Sequence, residues 1–335
     1  MELQLIEVYI PKEGLSLLNK QIENFSIISH WHSHSSEQYE LIKILVKKKH
    51  SEEILNYLEM DSKYNEELHA LLFSVQTYIP RVTADEEEKQ EEKQPDNDKK
   101  ELMRASRHEL YTVVESSSKI SRSFTWFLVL SAIVATAGIM KDSAAVVIGA
   151  MVIAPLIGPF TSAAFASVLG DYKLLRKSVL TSLYGLSVPF AIAILFGAIF
   201  ELPTYSDEFM ARTKIEIMDI VVAIAAGVAG ALSFIKRVSE ALVGVMVSVA
   251  LLPPTVVTGM LIGSAEWSVA LTPLILLLVN IHSILLSAIL VFWFSGIKPV
   301  NWQEIQIANT SRKYALLFVS LVIIILSITI FFISF

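Results

Sequence analysis

The chain has 335 residues, 53% of them hydrophobic, a mean hydropathy of +0.56, a net charge of −6 and no cysteine. No disulfide, thiolate chemistry or cysteine-ligated metal is possible, and an acidic balance argues against nucleic acid, which requires a basic face. The apolar content is uneven. Residues before about 123 are charged and mixed, and the rest is mostly apolar with charge in short clusters, so a soluble part precedes a polytopic membrane part. The opening MELQLIEVYIPKEG lacks the basic start and apolar core of a signal peptide.

Glu2 to Ile10 reads as a strand closed by Pro11 and Gly14, after which Leu15, Leu18 and Ile22 recur at helical spacing. Phe25 to Trp31 and Tyr39 to Val46 read as the second and third strands. Ser51 is the expected N-cap of a helix with Ile54, Leu55 and Leu58 on one face, and Leu68 to Ile79 is a fourth strand stopped at Pro80. The order βαββαβ predicts a small ferredoxin-like α+β domain over residues 1–80. His30, His32 and His34 alternate; on a strand they would share one face, as a metal site requires, and otherwise they belong to a polar hairpin between strands two and three. No acidic residue or fourth ligand sits at obvious spacing, and no metal is assigned.

Residues 81–100 form a charged linker, DEEEKQEEKQPDNDKK at its core. Residues 101–122 regain helical periodicity through Leu102, Leu110, Val113, Val114 and Ile120, with Arg104, Arg107, Lys119 and Arg122 on the other face. That suits a juxtamembrane helix at the membrane surface or beneath the membrane domain, or an ordinary lead-in helix.

The membrane domain covers 123–300, followed by a C-terminal span in 301–335. Phe124 to Met140, Ser178 to Phe200, Ile215 to Ile235, Trp267 to Phe294 and Tyr314 to Phe335 are the first, third, fourth, sixth and seventh spans, near or above the roughly 20 apolar residues a bilayer requires. The second and fifth differ. Ser143 to Gly170 holds Ala154-Pro155-Leu156-Ile157-Gly158-Pro159 at its middle, and Val238 to Ser264 holds Leu251-Leu252-Pro253-Pro254. Each proline removes a backbone donor and clashes with the preceding turn, and the residue before it is driven from helical angles, so both segments are expected to be broken. A shift of about 95 residues brings Gly149 onto Gly244, Met151 onto Met246 and Pro159 onto Pro254, an internal repeat over 124–200 and 215–294.

With the N-terminal domain in the cytoplasm and both broken segments crossing, Arg122, Lys173, Arg176, Lys177, Lys236, Arg237, Lys298, Arg312 and Lys313 lie inside. Only Lys141, Arg212 and Lys214 lie outside, as the positive-inside rule prefers. Re-entrant hairpins would move Lys173, Arg176, Lys177, Lys236 and Arg237 outside. Three crossings per repeat invert the second copy, so that the two breaks meet near the bilayer midplane.

A half-helix starting after Pro159 or Pro254 aims free N–H groups at that centre, which suits an anion; one ending near Ala154 or Leu252 aims free carbonyls, which suits a cation. The candidate substrate-binding residues are Pro155, Gly158, Pro159, Thr161 and Ser162 at one break and Pro253, Pro254, Thr255 and Thr258 at the other. Neither break carries Lys, Arg, Asp or Glu, so the substrate is a small ion or small polar solute. In the competing reading the prolines only kink helices and neighbouring side chains fill the gaps. Asn280 and His282, mid-way along the sixth span, join the candidates; His282 carries a proton or hydrogen-bonds across helices. Ala223, Gly227 and Ala231 form a small-residue face for close helix packing.

Ser131-Ala132-Ile133-Val134-Ala135, Asp142-Ser143, GAMVIAPLIGP at Gly149 to Pro159 and Leu169-Gly170-Asp171 resemble the prokaryotic "uncharacterised hydrophobic domain" membrane protein family, domain of unknown function 389. So does ALVGVMVSVALLPP ending at Pro254, and LIEVYIP near the N-terminus resembles one branch of it. The resemblance implies an integral membrane protein of bacteria or archaea and supplies no substrate. The function expected is a transporter or channel for a small ion or polar solute, regulated or assembled through the N-terminal domain. The alternative is a non-transporting membrane sensor or scaffold. Without a GxxxxGK[ST] loop the transport would be ion-coupled or passive, and without HExxH or GxSxG no enzyme and no cofactor are expected. The expected setting is the cell membrane, multi-pass, with the N-terminal domain cytoplasmic and the chain a homo-oligomer.

Overall fold

A computed structural model describes residues 3–22, 24–34, 39–62, 67–75, 107–236 and 240–297. The expected span at 314–335, the linker over 81–100 and the start of the 101–122 helix lie outside these residues. The chain divides into two compact units, Met1–Glu109 and Leu110–Phe335.

In the first unit, β1 (Leu3–Pro11), α1 (Leu15–Ile22), β2 (Ser29–His34), β3 (Tyr39–Lys47), α2 (Lys48–Ser62) and β4 (His69–Val75) follow one another. The four strands form one antiparallel sheet in the order β2-β3-β1-β4. Strand side chains alternate between faces. Ile6, Val8 and Ile10 of β1 and Ile42, Ile44 and Val46 of β3 therefore share one face, where Leu18 and Ile22 of α1 and Ile54, Leu55 and Leu58 of α2 complete a core. Two details depart from expectation. The HWHSH run is not a hairpin but most of β2 itself, because Phe25 and Ile27, expected in that strand, instead follow the end of α1 and pack on the core. Ser51 is not an N-cap: α2 begins directly after β3, and the Ser51 hydroxyl donates to the Lys48 carbonyl within the first turn. His30 and His32 lie on one face of β2 with ring centroids 5.5 Å apart. Among the described residues no group of three His, Cys, Asp or Glu is placed to hold a metal.

The second unit is helical. It comprises α3 (Arg107–Ser117), whose first residues belong to the other unit, α4 (Arg122–Met140), α5 (Ala144–Ile153), α6 (Ile157–Leu169), α7 (Tyr172–Ile199), the single turn α8 (Asp207–Met210), α9 (Ile217–Lys236), α10 (Glu240–Gly263) and α11 (Trp267–Phe294). Five of these, α4, α7, α9, α10 and α11, are long and apolar enough to cross a membrane, and α5 with α6 makes a sixth span if the pair is counted as one. The distribution of side chains is that of a protein in lipid. Trp126, Phe127, Leu130, Leu183, Leu195, Val221 and Leu271 point outward, whereas Ser131, Thr136, Ser178, Thr181, Ser233, Ser248 and Asn280 are buried. Water would drive the reverse arrangement; in a bilayer the polar groups are the ones that must find partners inside. The chain is a multi-pass membrane protein.

Close packing is set by small residues. A Cβ on Gly197 of α7 would run into the backbone of Met260, and one on Gly263 of α10 into the Ile194 carbonyl. Gly259 and Gly263, four residues apart on one side of α10, thus let the two backbones meet. Ala223, Gly227 and Ala231 are buried, and a Cβ on Gly227 would strike Ile284 and the Ser287 hydroxyl of α11, which places the small-residue face of α9 against that helix.

At one end of the bundle Asp142, in the turn between α4 and α5 with φ of 51°, organises the α7–α9 connection. Its carboxylate accepts from the Glu208 N–H at 3.0 Å and lies 3.1 Å from the Ser206 hydroxyl, which in turn lies 2.7 Å from the Ile139 carbonyl. The Glu208 backbone bond and then the Ser206 bond hold the Asp142 carboxyl below the usual carboxylate range. A depressed folded-state pKa contributes stability above the unfolded value, and that stability is lost as pH falls through the folded one. Thermal unfolding of the detergent-purified protein is expected to show a destabilising step on acidification that Asp142→Asn abolishes; identical pH profiles would remove this bond from the account.

Candidate functional site

The two proline-bearing segments behave differently. In the first, Ala154 precedes Pro155 and takes the extended conformation that this position favours, with φ of −69° and ψ of 117°. α5 therefore ends at Ile153. α6 starts at Ile157 and is bent from α5 by 53°. Pro159 is the third residue of α6, where the missing donor costs nothing because a first-turn N–H has no intrahelical partner. Leu156, at the N-cap, supplies no side-chain oxygen to the start of α6.

The second segment is not broken, which corrects the expectation of two matched interruptions. α10 runs continuously from Glu240 to Gly263 with Pro253 and Pro254 inside it. One of the two lost donors is replaced by a side chain. Pro254 deprives the Ala250 carbonyl of its usual donor four residues on, and the Asn280 amide of α11 donates to that carbonyl at 2.8 Å. Thr255 and Thr258 give their hydroxyl protons to the Leu251 and Pro254 carbonyls of their own helix, both at 2.6 Å. Thr255, Thr258 and Asn280 thus each bond to a carbonyl of α10. His282 likewise turns to its own helix, its Nδ1 lying 2.7 Å from the Leu278 carbonyl.

The residues matched by the internal repeat sit in unlike surroundings. Gly149 faces open space, whereas Gly244 packs on Ile157; Met151 is buried, whereas Met246 is 49% exposed. One link does join the two segments. The Ser248 hydroxyl of α10 donates to the Ala154 carbonyl at the break, at 3.2 Å.

α6 is buried along its whole length. Part of its cover is the end of α3, which touches it at two points: the Ser162 hydroxyl donates to the Val114 carbonyl at 2.8 Å, and a Cβ on Gly158 would lie 2.8 Å from the Ser117 carbonyl. Ser162 is thus a tie between helices, Gly158 is required by the close approach of Ser117, and Thr161 lies toward Gly230 of α9. Tyr111 donates to Asp171 at 2.8 Å, and Lys177 pairs with Glu115 at 3.3 Å on the surface.

Where α3 turns into α4, beside the break, lies a pocket of about 400 Å³. Ile153, Ala154, Pro155, Ile157 and Gly158, at and around the break, are among its lining residues. Ser116, Ser117, Lys119, Ser121 and Ser123 around the α3–α4 connection line it too, together with Phe124, Phe127 and Gly244. The lining holds one cationic side chain and no carboxylate. Of the residues singled out from the sequence, the pocket therefore unites Pro155, Gly158 and Gly244; the Ser116–Ser123 lining was missed. Its signal is five serines and a lysine within eight residues immediately before a span.

The Asn280 bond is testable by a cycle. Asn280→Leu leaves the Ala250 carbonyl buried and unpaired and is expected to destabilise by about 1–3 kcal/mol. Adding Pro254→Ala supplies a backbone donor and should recover most of the loss; purely additive effects in thermal melts would contradict this role.

A family model for a domain of unknown function (DUF389) matches residues 151–286, from the end of α5 into α11. An uncharacterized protein of Methanocaldococcus jannaschii, MJ0678, is 33% identical over 318 residues, 95% of each chain. No solved structure matches the chain. With both the break and the proline-bearing helix inside the matched region and a relative this similar from end to end, the chain belongs to the DUF389 family.

Proposed function

We propose that this protein is a transporter or channel for a small ion or small polar solute, and that the solute binds in the pocket beside the α5–α6 break. The observation that carries the reading is the pocket itself: about 400 Å³, lined by residues of the helix interruption together with four serines and Lys119. Helix interruption at membrane depth is tolerated where it lines a wet cavity, and transporters place their sites at such interruptions. The lone Lys119 and the uncapped start of α6 favour an anion or a neutral polar solute over a cation.

The remaining parts of the proposal concern setting. The bend of 53° keeps α5 and α6 running in one general direction, which supports a crossing rather than a hairpin. With a seventh span at 314–335, positive charge then gathers on the side of the N-terminal domain, which we place in the cytoplasm at the cell membrane. The sheet order β2-β3-β1-β4 supports the ferredoxin-like reading of that domain. The two sets of three spans are read as an inverted pair in which the second copy has an intact helix. No catalytic residues, cofactor or nucleic-acid partner are assigned.

A membrane-anchored sensor or scaffold is the second reading, favoured by one observation: the Ala154 and Ala250 carbonyls are both engaged by neighbouring side chains. Liposomes containing the purified protein separate the two. Tracer flux of chloride, phosphate or sodium above that of empty liposomes is expected, with Ser123→Trp, which fills the pocket mouth, and Lys119→Ala each lowering it several-fold. Flux absent for all three ions would favour the sensor reading, and flux unchanged in both variants would remove this pocket from the solute's path.

A further inference from the structure

The two sets of three spans correspond in detail. The shift that aligns the repeat carries α7 onto α11 from end to end, Tyr172 onto Trp267 and Ile199 onto Phe294, and the start of α4, Arg122, onto the start of α9, Ile217. Contacts follow the same shift. Phe165 of α6 meets Phe292 of α11 with ring centroids 5.4 Å apart. Their counterparts are Met260 of α10 and Gly197 of α7, and these meet as well. The copies point in opposite directions: the connection leading into α9 is held at the C-terminal end of α4, where Ser206 donates to the Ile139 carbonyl.

The correspondence fails at the prolines. Beside the pocket Gly244 packs on Ile157. Their counterparts, Gly149 and Leu252, stay apart: a Cβ on Gly149 would meet nothing within 4 Å, and Leu252 is fully buried. Leu252 and Pro253 each precede a proline, the position at which α5 ends, yet both remain inside α10. Pro253 and Pro254 remove the donors of the Val249 and Ala250 carbonyls, and Asn280 serves the second of these. In the first copy the place of Asn280 falls to Gly185, which has no side chain to offer and lies beside Leu156 at the break. Only half of the Asn280 amide is used. Among the described residues its Oδ1 and the Ser283 hydroxyl, one turn on, are buried without a partner.

We propose that α10 is a second gate, the closed counterpart of the α5–α6 break. When Asn280 releases the Ala250 carbonyl, α10 bends at Leu252–Pro253 and Leu252 moves onto Gly149. A matching pocket then opens at the opposite end of the bundle while the first one closes. This second gate rests on the transport reading of the first pocket, and it makes the protein a carrier that exposes its solute to one side at a time, not a channel. Lys119 has its counterpart in Lys214, whereas Ser117, Ser121 and Phe124 give way to Arg212, Glu216 and Asp219. The second opening thus carries carboxylates where the first has none, and an anion is held less firmly there.

The cysteine-free sequence permits single cysteines in the full-length protein, probed in oriented membrane vesicles with a membrane-impermeant maleimide. Ile157→Cys is expected to label from the side of the α3–α4 connection, and Leu252→Cys slowly from the opposite side. Asn280→Leu should raise labelling of Leu252→Cys several-fold and lower that of Ile157→Cys; mere loosening of the fold would raise both. Pro253→Ala with Pro254→Ala restores the backbone donors of α10 and should abolish labelling of Leu252→Cys and tracer flux in liposomes, with Ile157→Cys still labelled. Leu252→Cys unlabelled from either side with and without Asn280, or both labelling rates raised together, would overturn the second gate. Flux that persists in the double-alanine variant would overturn it too and leave the first pocket in a channel. Flux absent from the unmodified protein would instead count against the transport reading, and opposite changes in the two labelling rates would still establish that α10 opens.

Discussion

In an apolar surround a backbone carbonyl or N–H that loses its helical partner must be given another, and this requirement shapes the membrane unit. Pro254 strips the Ala250 carbonyl of its donor, and Asn280 replaces it from the next helix. The helix therefore continues. Pro155 drives the residue before it to extended angles, and there the helix ends. Two prolines of the same chemistry thus give one straight span and one bent one, and the difference lies in which neighbouring groups are within reach.

The same requirement explains why α3 belongs with the bundle. α6 begins at the break and is buried throughout, so the end of α3 must come close, which Gly158 permits and the Ser162–Val114 bond fixes. The turn that carries α3 into α4 is then held near the interruption, and its serines and Lys119 help to line a pocket. Sequence, backbone interruption and solute-sized space are in this way consequences of one another. The N-terminal sheet stands apart from this chemistry. Its core is complete between one sheet face and the helices α1 and α2.

Much of the architecture could be read from the residues. Alternation in β1 and β3 and the 3.6-residue recurrence in α1 and α2 named the elements of the first unit in order, and runs of apolar residues located the spans. Pro155 after Ala154 announced the break. The intact α10 was not legible: the carbonyl that Pro254 strips is served by Asn280, a side chain 30 residues away in sequence. Thr255, Thr258 and His282 looked available as isolated letters, and only the folded chain turns them onto their own helix. The serine-rich lining escaped for the opposite reason: Ser116 to Ser123 resembles an ordinary polar lead-in until the end of α3 is seen against α6. The displaced β2 reflects Phe25 and Ile27, whose hydrophobicity suits a strand but which serve the core from a loop.

The central claim is that one proline-bearing segment is interrupted beside a pocket while the other is a continuous helix. Residue-resolved hydrogen exchange in lipid nanodiscs tests it most directly. The account predicts rapid exchange at the Ile157 and Gly158 amides beside the pocket, and strong protection at Leu251 and Leu252, just before the tandem prolines of α10. Equal protection at the two sites, or faster exchange in α10, would contradict it.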